Sequence, residues 1–363
     1  MSRLNKLSAV TMAITGALAA CTDGTGLNDE PFDPDASAAD LKVVQGAFSA
    51  AVFESLALSS GSFSLVADTG AVPSALLQVS LATGSAGSRW EAAAAAEAFA
   101  AMGPASGPIV PVDYLSRTYV QGIDGYEYDA ARTGAPANGV RFILYEIDPI
   151  TREPGATEIG YVDLLDESST LAYVIRVLAV TGGVERINYT VSAVIGVQTL
   201  GFIVSGFISD GTDMVDVDLS MTFVNALPVT TATVDHLISV LTRDFTVDAT
   251  VVFTFNSETL AGSIDIDATF MQGAHTVRVA GVIKFVEGTL PTEGRTVEIY
   301  VDGQLFAVVT VSGETITVQN ATGGELTSVE AQAVRKIFDR IDDMFDDRFE
   351  DFIRPVSWLF WAK

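Results

Sequence analysis

Met214-Val215-Asp216-Val217-Asp218-Leu219-Ser220-Met221-Thr222-Phe223 is the stretch that decides the fold. Val215, Val217, Leu219, Met221 and Phe223 alternate with Asp216, Asp218, Ser220 and Thr222. A strand turns successive side chains to opposite faces, so this run has one apolar side and one wet side. The same period recurs downstream. Phe245, Val247, Ala249, Val251, Phe253 and Phe255 alternate with Thr246, Asp248, Thr250 and Thr254, and Ile264, Ile266, Ala268 and Phe270 oppose Asp265, Asp267 and Thr269. One-sided strands joined by short polar turns predict an antiparallel sheet with one face on a core.

Working outward, residues 111–325 form a β domain. Upstream strands are expected at 117–120, 125–128, 141–148, 158–165, 171–180, 186–197 and 200–209, broken by Gly-Gly, Asp-Gly and Gln-Gly steps without helical spacers. These earlier runs are apolar on both faces, which implies cover on both sides. Residues 230–241 fit strand or helix and are assigned as strand. Strands at 297–301, 305–311 and 315–319 close the series through Asp302-Gly303 and Ser312-Gly313 turns. Residues 205–224 and 267–286 align without gaps, matching Gly211 with Gly273 and Val217 with Val279. Duplicated hairpins and convergence on one pattern explain this equally well.

Helices are expected on both flanks. In the Ala-rich segment 38–110, Leu41, Val44, Phe48, Val52 and Leu56 recur at helical spacing from about Ala38 to Leu58, with Ser59-Ser60-Gly61 as the stop. Ser88-Arg89-Trp90-Glu91 is a capping box opening a second helix to Ala101. In the last segment, 326–363, Thr327-Ser328-Val329-Glu330 caps a helix whose apolar stripe is Val334, Ile337, Phe338, Ile341, Phe345, Phe349 and Phe352. Pro355 is expected to end it, ahead of the aromatic tail Trp358-Leu359-Phe360-Trp361. The fold class is therefore α+β: a large curved antiparallel meander with N- and C-terminal amphipathic helices on its apolar face. A two-sheet β-sandwich is the alternative.

Arg3 and Lys6 precede an uncharged apolar run, Leu7 to Leu18, that suits a signal-peptide core better than a membrane span. Ala19 and Ala20 then lead directly to Cys21. Leu18-Ala19-Ala20-Cys21 resembles the lipobox of bacterial lipoprotein precursors. The resemblance covers residues 1–21 and implies removal of residues 1–20, diacylglyceryl transfer to the Cys21 thiol and acylation of the new amino group. Two or three chains anchor stably where one is marginal. It also implies a cell-envelope location, and Thr22 after the cysteine fits an outer-membrane address. Residues 21–37, rich in Asp, Glu, Gly and Pro, read as a flexible acidic linker.

Composition narrows the chemistry. The chain carries 46 acidic against 20 basic residues, a net charge of −26. A field of that sign repels phosphate backbones, so nucleic acid is not an expected partner. Cys21 is the single cysteine, which rules out an intramolecular disulfide or a cysteine zinc site. His236 and His275 are the two histidines, and no P-loop, G-x-S-x-G elbow or H-E-x-x-H accompanies them. Asp210, Asp213, Asp216 and Asp218 are the densest carboxylate group, but Asp216 and Asp218 lie on the wet side of a strand and no bidentate Glu completes a calcium loop. No catalytic, cofactor-binding or metal-binding residue is assigned, and no cofactor is expected.

The expected function is that of a lipid-anchored, noncatalytic envelope lipoprotein serving as a structural or interaction module. Its partners are the membrane, through the anchor on Cys21, and an envelope protein. The alternative is a carrier that holds a lipid or other apolar ligand between the sheet and the C-terminal helix.

Overall fold

The computed structural model describes residues 43–63, 107–334 apart from 124, 152, 171, 197, 287–294, 313–314 and 333, and 352–359 apart from 357–358. The predicted helix at 88–101, the linker, the leader with Cys21, and most of the C-terminal stripe lie outside these residues. Described strands are β1 (Arg117–Gly122), β2 (Gly125–Tyr128), β3 (Gly139–Ile147), β4 (Pro154–Asp166), β5 (Tyr173–Thr181), β6 (Val184–Ile195), β7 (Thr199–Ser209) and β8 (Met214–Ala226). The series continues with β9 (Val229–Val240), β10 (Phe245–Asn256), β11 (Ala261–Gln272), β12 (His275–Val286), β13 (Arg295–Val301), β14 (Gln304–Ser312) and β15 (Thr315–Asn320). The protein is thus strand-rich, with few helices, and the ambiguous stretch at 230–241 is a strand as far as Val240, with Leu241 opening a 3-10 turn.

Two compact units divide the chain, which passes from one to the other inside β8, between Ser220 and Met221. Among the described residues the first unit holds 43–63, 107–220 and 352–359. Its strand order is β7-β6-β5-β4-β3-β1-β2. Neighbours from β3 to β7 are antiparallel, but β1 pairs with β3 in parallel, placing Thr118 opposite Arg141 and Tyr119 opposite Phe142. This corrects the simple meander. β2 turns back along β1 at the sheet edge, so residues 129–138 must cross β1 to reach β3. The sandwich alternative fails within the unit, where all these strands share one hydrogen-bonded ladder.

Across the middle of β3 to β6, one face of that ladder is apolar and buried. Phe142 and Leu144, Val162 and Leu164, Ile175 and Val177, and Tyr189 and Val191 fall in paired registers across β3 to β6. Residues 43–48 and helix α1 (Ala51–Phe63) supply cover. The chain tightens between them, where the Ala50 amide donates to the Ala47 carbonyl at 3.3 Å. The helix then runs through Ser59-Ser60-Gly61 instead of stopping there. Val52, Phe53, Ser55, Leu56 and Ser59 are all buried, so packing overrides the weak local stop. Phe352 completes the layer. Its ring meets Tyr189 at 5.1 Å, Phe48 at 5.5 Å and Phe53 at 5.6 Å, all edge to face, and the Tyr189 hydroxyl donates to the Phe352 carbonyl at 3.0 Å. Pro355 does not end the helix as expected: residues 352–356 and 359 are helical, and Pro355, Val356 and Leu359 are buried.

The opposite face is covered only in part. Thr118 and Asp163 are buried on it, whereas Val194 and Ile203 are exposed. Cover on both sides, expected for these strands, is therefore confined to the neighbourhood of the crossover.

The second unit, residues 221–334, orders β9 to β15 in sequence, each antiparallel to the next. Val277, Val279, Val297, Ile299 and Val309 form a core with Leu326, Ala331 and Val334. The predicted capping box is present: the Thr327 amide donates to Glu330 Oε2 at 2.7 Å and the Glu330 amide to Thr327 Oγ1 at 3.2 Å. Gly211 and Gly273, paired in the internal alignment, both occupy hairpin turns at positive φ, which glycine adopts without a Cβ penalty.

Two stability changes follow. Phe352→Ala should lower stability by about 3–5 kcal/mol, read as a reduced urea midpoint, because it removes a ring held on three sides. His236 faces inward beside Val234, Ile238 and Ala249, and burial lowers its imidazole pKa to about 4. An unfolded histidine titrates near 6.5, so between those values the unfolded chain binds the extra proton. This contribution is intact above about pH 6.5 and is lost as pH falls toward 4, by about 3 kcal/mol in all. His236→Leu should flatten that slope in urea titrations; an unchanged slope would contradict the assignment.

Candidate functional site

The crossover of residues 129–138 creates the most developed polar site among the described residues. Beneath it lies an open cleft of about 570 Å³ lined by Thr118, Arg132, Arg141, Glu158 and Tyr161, with Ile143 at its floor. Strand register places the groups. Arg141 on β3 stands opposite Asp163 on β4, and Tyr161 is the diagonal neighbour two residues away on the same face. Arg141 donates through Nε and Nη2 to the two Asp163 oxygens, each at 2.7 Å, and its guanidinium carbon lies 3.6 Å from the centre of the Tyr161 ring. Planar forks match carboxylates in this way and stack on aromatic faces.

A second pair holds the crossover down. Arg132 donates from both terminal nitrogens to Glu158, and its Nε lies 3.4 Å from Asp129. The Asn138 side chain adds a bond to the Asp166 carbonyl at 3.0 Å. Asp166 in turn accepts the amides of Ile109 and Val110 at 2.6 and 2.7 Å, tying the entering chain to the same end of β4.

The electrostatics differ between the pairs. The Arg132 guanidinium holds the Glu158 carboxyl below its usual range. Asp163 is 5% exposed, and its loss of hydration raises its pKa more than Arg141 lowers it. Hydrogen bonding to the carboxylates raises both arginines further. Thr118 Oγ1, in register with Arg141, is buried with no hydrogen-bond partner among the described residues. The cleft therefore holds two cations whose forks are already engaged by carboxylates, and it shows no side chain arranged as a nucleophile beside a base.

The sequence candidates lie elsewhere. His275 is exposed, and its Nδ1 sits 3.0 Å from Asp302 Oδ2, lowering the Asp302 pKa. His236 is buried in the second unit's apolar face. Asp210 Oδ1 accepts the Thr212 and Asp213 amides at 2.7 and 2.9 Å, so this carboxylate shapes its own turn. No group of three or more acidic, histidine or cysteine side chains poised for a metal occurs among the described residues. Of the aromatic tail, Leu359 is described and buried. The arginine–carboxylate pairs carried no sequence signal, because partners 22 and 26 residues apart meet only once the strand register and the crossover are known. No described helix is long and apolar enough to cross a membrane.

Comparison with known protein families, with curated proteins and with solved structures gives no match to the chain.

The two pairs should respond differently to mutation. Arg132→Ala, at an exposed pair, should cost no more than about 1 kcal/mol. Arg141→Met strands a buried carboxylate and should cost about 3–5 kcal/mol. That loss should ease as pH falls and Asp163 takes up a proton. Equal costs in chemical denaturation, or a pH-independent loss for Arg141→Met, would contradict this description.

Proposed function

We propose that the protein is a noncatalytic cell-envelope lipoprotein, held to a membrane through lipid on Cys21 and acting as a structural or interaction module. The anchor rests on the sequence: a basic start, an uncharged apolar run and Leu18-Ala19-Ala20-Cys21 in succession. The noncatalytic reading is supported chiefly by the self-neutralised cleft, where Arg132 and Arg141 each spend their forks on a carboxylate of the chain itself. Acid–base catalysis needs a reachable group poised to exchange a proton in the working pH range. A charge of −26 favours solubility and a basic partner over phosphate-rich ligands.

The carrier alternative requires room between sheet and helix. At the described residues that seam is filled: Phe48, Phe53, Phe352 and Tyr189 interlock there, and Phe352, Val356 and Leu359 are fully buried. The module is therefore the better supported function. Growth of an expressing bacterium with radioactive palmitate tests the anchor. Label should enter the wild-type chain and be absent from Cys21→Ser; equal labelling of both would refute lipidation at this thiol.

A further inference from the structure

In the first unit β1, β3, β5 and β7 all finish at the same end, because β1 and β3 are parallel and the rest alternate. The turn at that end after each strand shows an exposed aliphatic residue. Ile123 follows β1, fully exposed, and Ile150 follows β3, 90% exposed; Val184 and Met214 stand at the next two turns. At the opposite end the turns after β4 and β6 expose Glu167, Ser169, Gln198 and Thr199. That end has an exposed aliphatic as well, Val112, ahead of β1.

The four tips belong to separate loops spread over about 30 Å, at roughly 4.8 Å per strand. No single groove collects them. A medium that takes up side chains one by one suits such a row better than a pocketed protein surface. The chain also enters the unit here: a Cβ on Gly46 would lie 3.8 Å from Asp210 Oδ2, at the turn after β7. The described chain begins at residue 43, three residues before Gly46 and 22 after Cys21. A tether of that length does not fix orientation, so contacts at the tips decide it.

We infer that this end of the first unit rests on the surface of the anchoring bilayer, with Ile123 and Ile150 entering the boundary between headgroups and acyl chains. The inference rests on the lipoprotein reading for its tether. Two aliphatic side chains bind a bilayer weakly on their own, but tethering holds them at an effective concentration in the millimolar range. Asp148, Glu153, Glu185 and Asp213 lie in or beside the same turns, so a zwitterionic surface suits this end better than an anionic one.

The test uses the full chain with Cys21→Ser, an N-terminal hexahistidine tag and one new cysteine carrying an environment-sensitive fluorophore at Ile123→Cys, Ile150→Cys or Val112→Cys. The protein is tethered to phosphatidylcholine vesicles through a nickel-chelating lipid. Emission should move to the blue and brighten at 123 and 150 and stay aqueous at 112. Untethered, Ile123→Asp/Ile150→Asp should bind the vesicles at least about tenfold more weakly than the parent, with an unchanged circular dichroism spectrum. Aqueous emission at 123 and 150, or an equal shift at 112, would overturn the inference. So would a shift without vesicles that grows with protein concentration, since a second copy would then be the occupant. The tag supplies the tether, so failure of acylation at Cys21 leaves this readout intact and the two ideas fall separately.

Discussion

A sheet with one apolar face cannot leave that face in water, and the rest of the structure depends on how it is covered. In the first unit the cover comes from residues far apart in the chain, Phe48 and Phe53 on one side and Phe352 on the other, meeting over Tyr189. Each fully buried side chain of this size contributes about 1.5–3 kcal/mol through lost water contact, and each edge-to-face ring pair adds about 0.5–1.5 kcal/mol. The hydroxyl of Tyr189 finds the Phe352 carbonyl, so the one polar atom in this cluster is satisfied. Local helix propensity plays a smaller part: α1 runs through a Ser-Ser-Gly step because its inward face is held.

The second constraint is topological. Placing β1 parallel to β3 forces residues 129–138 across the outer face, and that crossing buries Asp163 and Thr118. A buried carboxylate is tolerated when a guanidinium meets both its oxygens, which Arg141 does, and Arg132 with Glu158 fastens the strap at the exposed edge. Both guanidinium groups thus serve to close the fold.

Much of this was legible in the residues. The period of two in 215–223, 245–249 and 264–270 marks strands with the correct inward face, and the strand from Val229 to Val240 obeys the same alternation from Val234 on despite its helical ambiguity. The Thr327/Glu330 cap is a local signal and appears as read. What escaped is non-local. A parallel β1–β3 pair leaves no trace in composition, because periodicity reports which side a residue faces but not which strand it neighbours. The Arg141–Asp163 and Arg132–Glu158 pairs depend on that same missing information. By its missing donor Pro355 reads as a stop, yet it lies buried among helical residues, a placement that local sequence does not report.

The sheet of the first unit and its covering segments form one core and not a sheet beneath a movable lid. Native-state hydrogen exchange across a series of low urea concentrations measures this directly. Amides of α1 and of β5 and β6 should share a single opening free energy and a single urea dependence, since uncovering either exposes the same rings. Exchange of α1 at a much lower opening energy, with β5 and β6 still protected, would contradict it and would reveal the hinged cover that a carrier of apolar ligands requires.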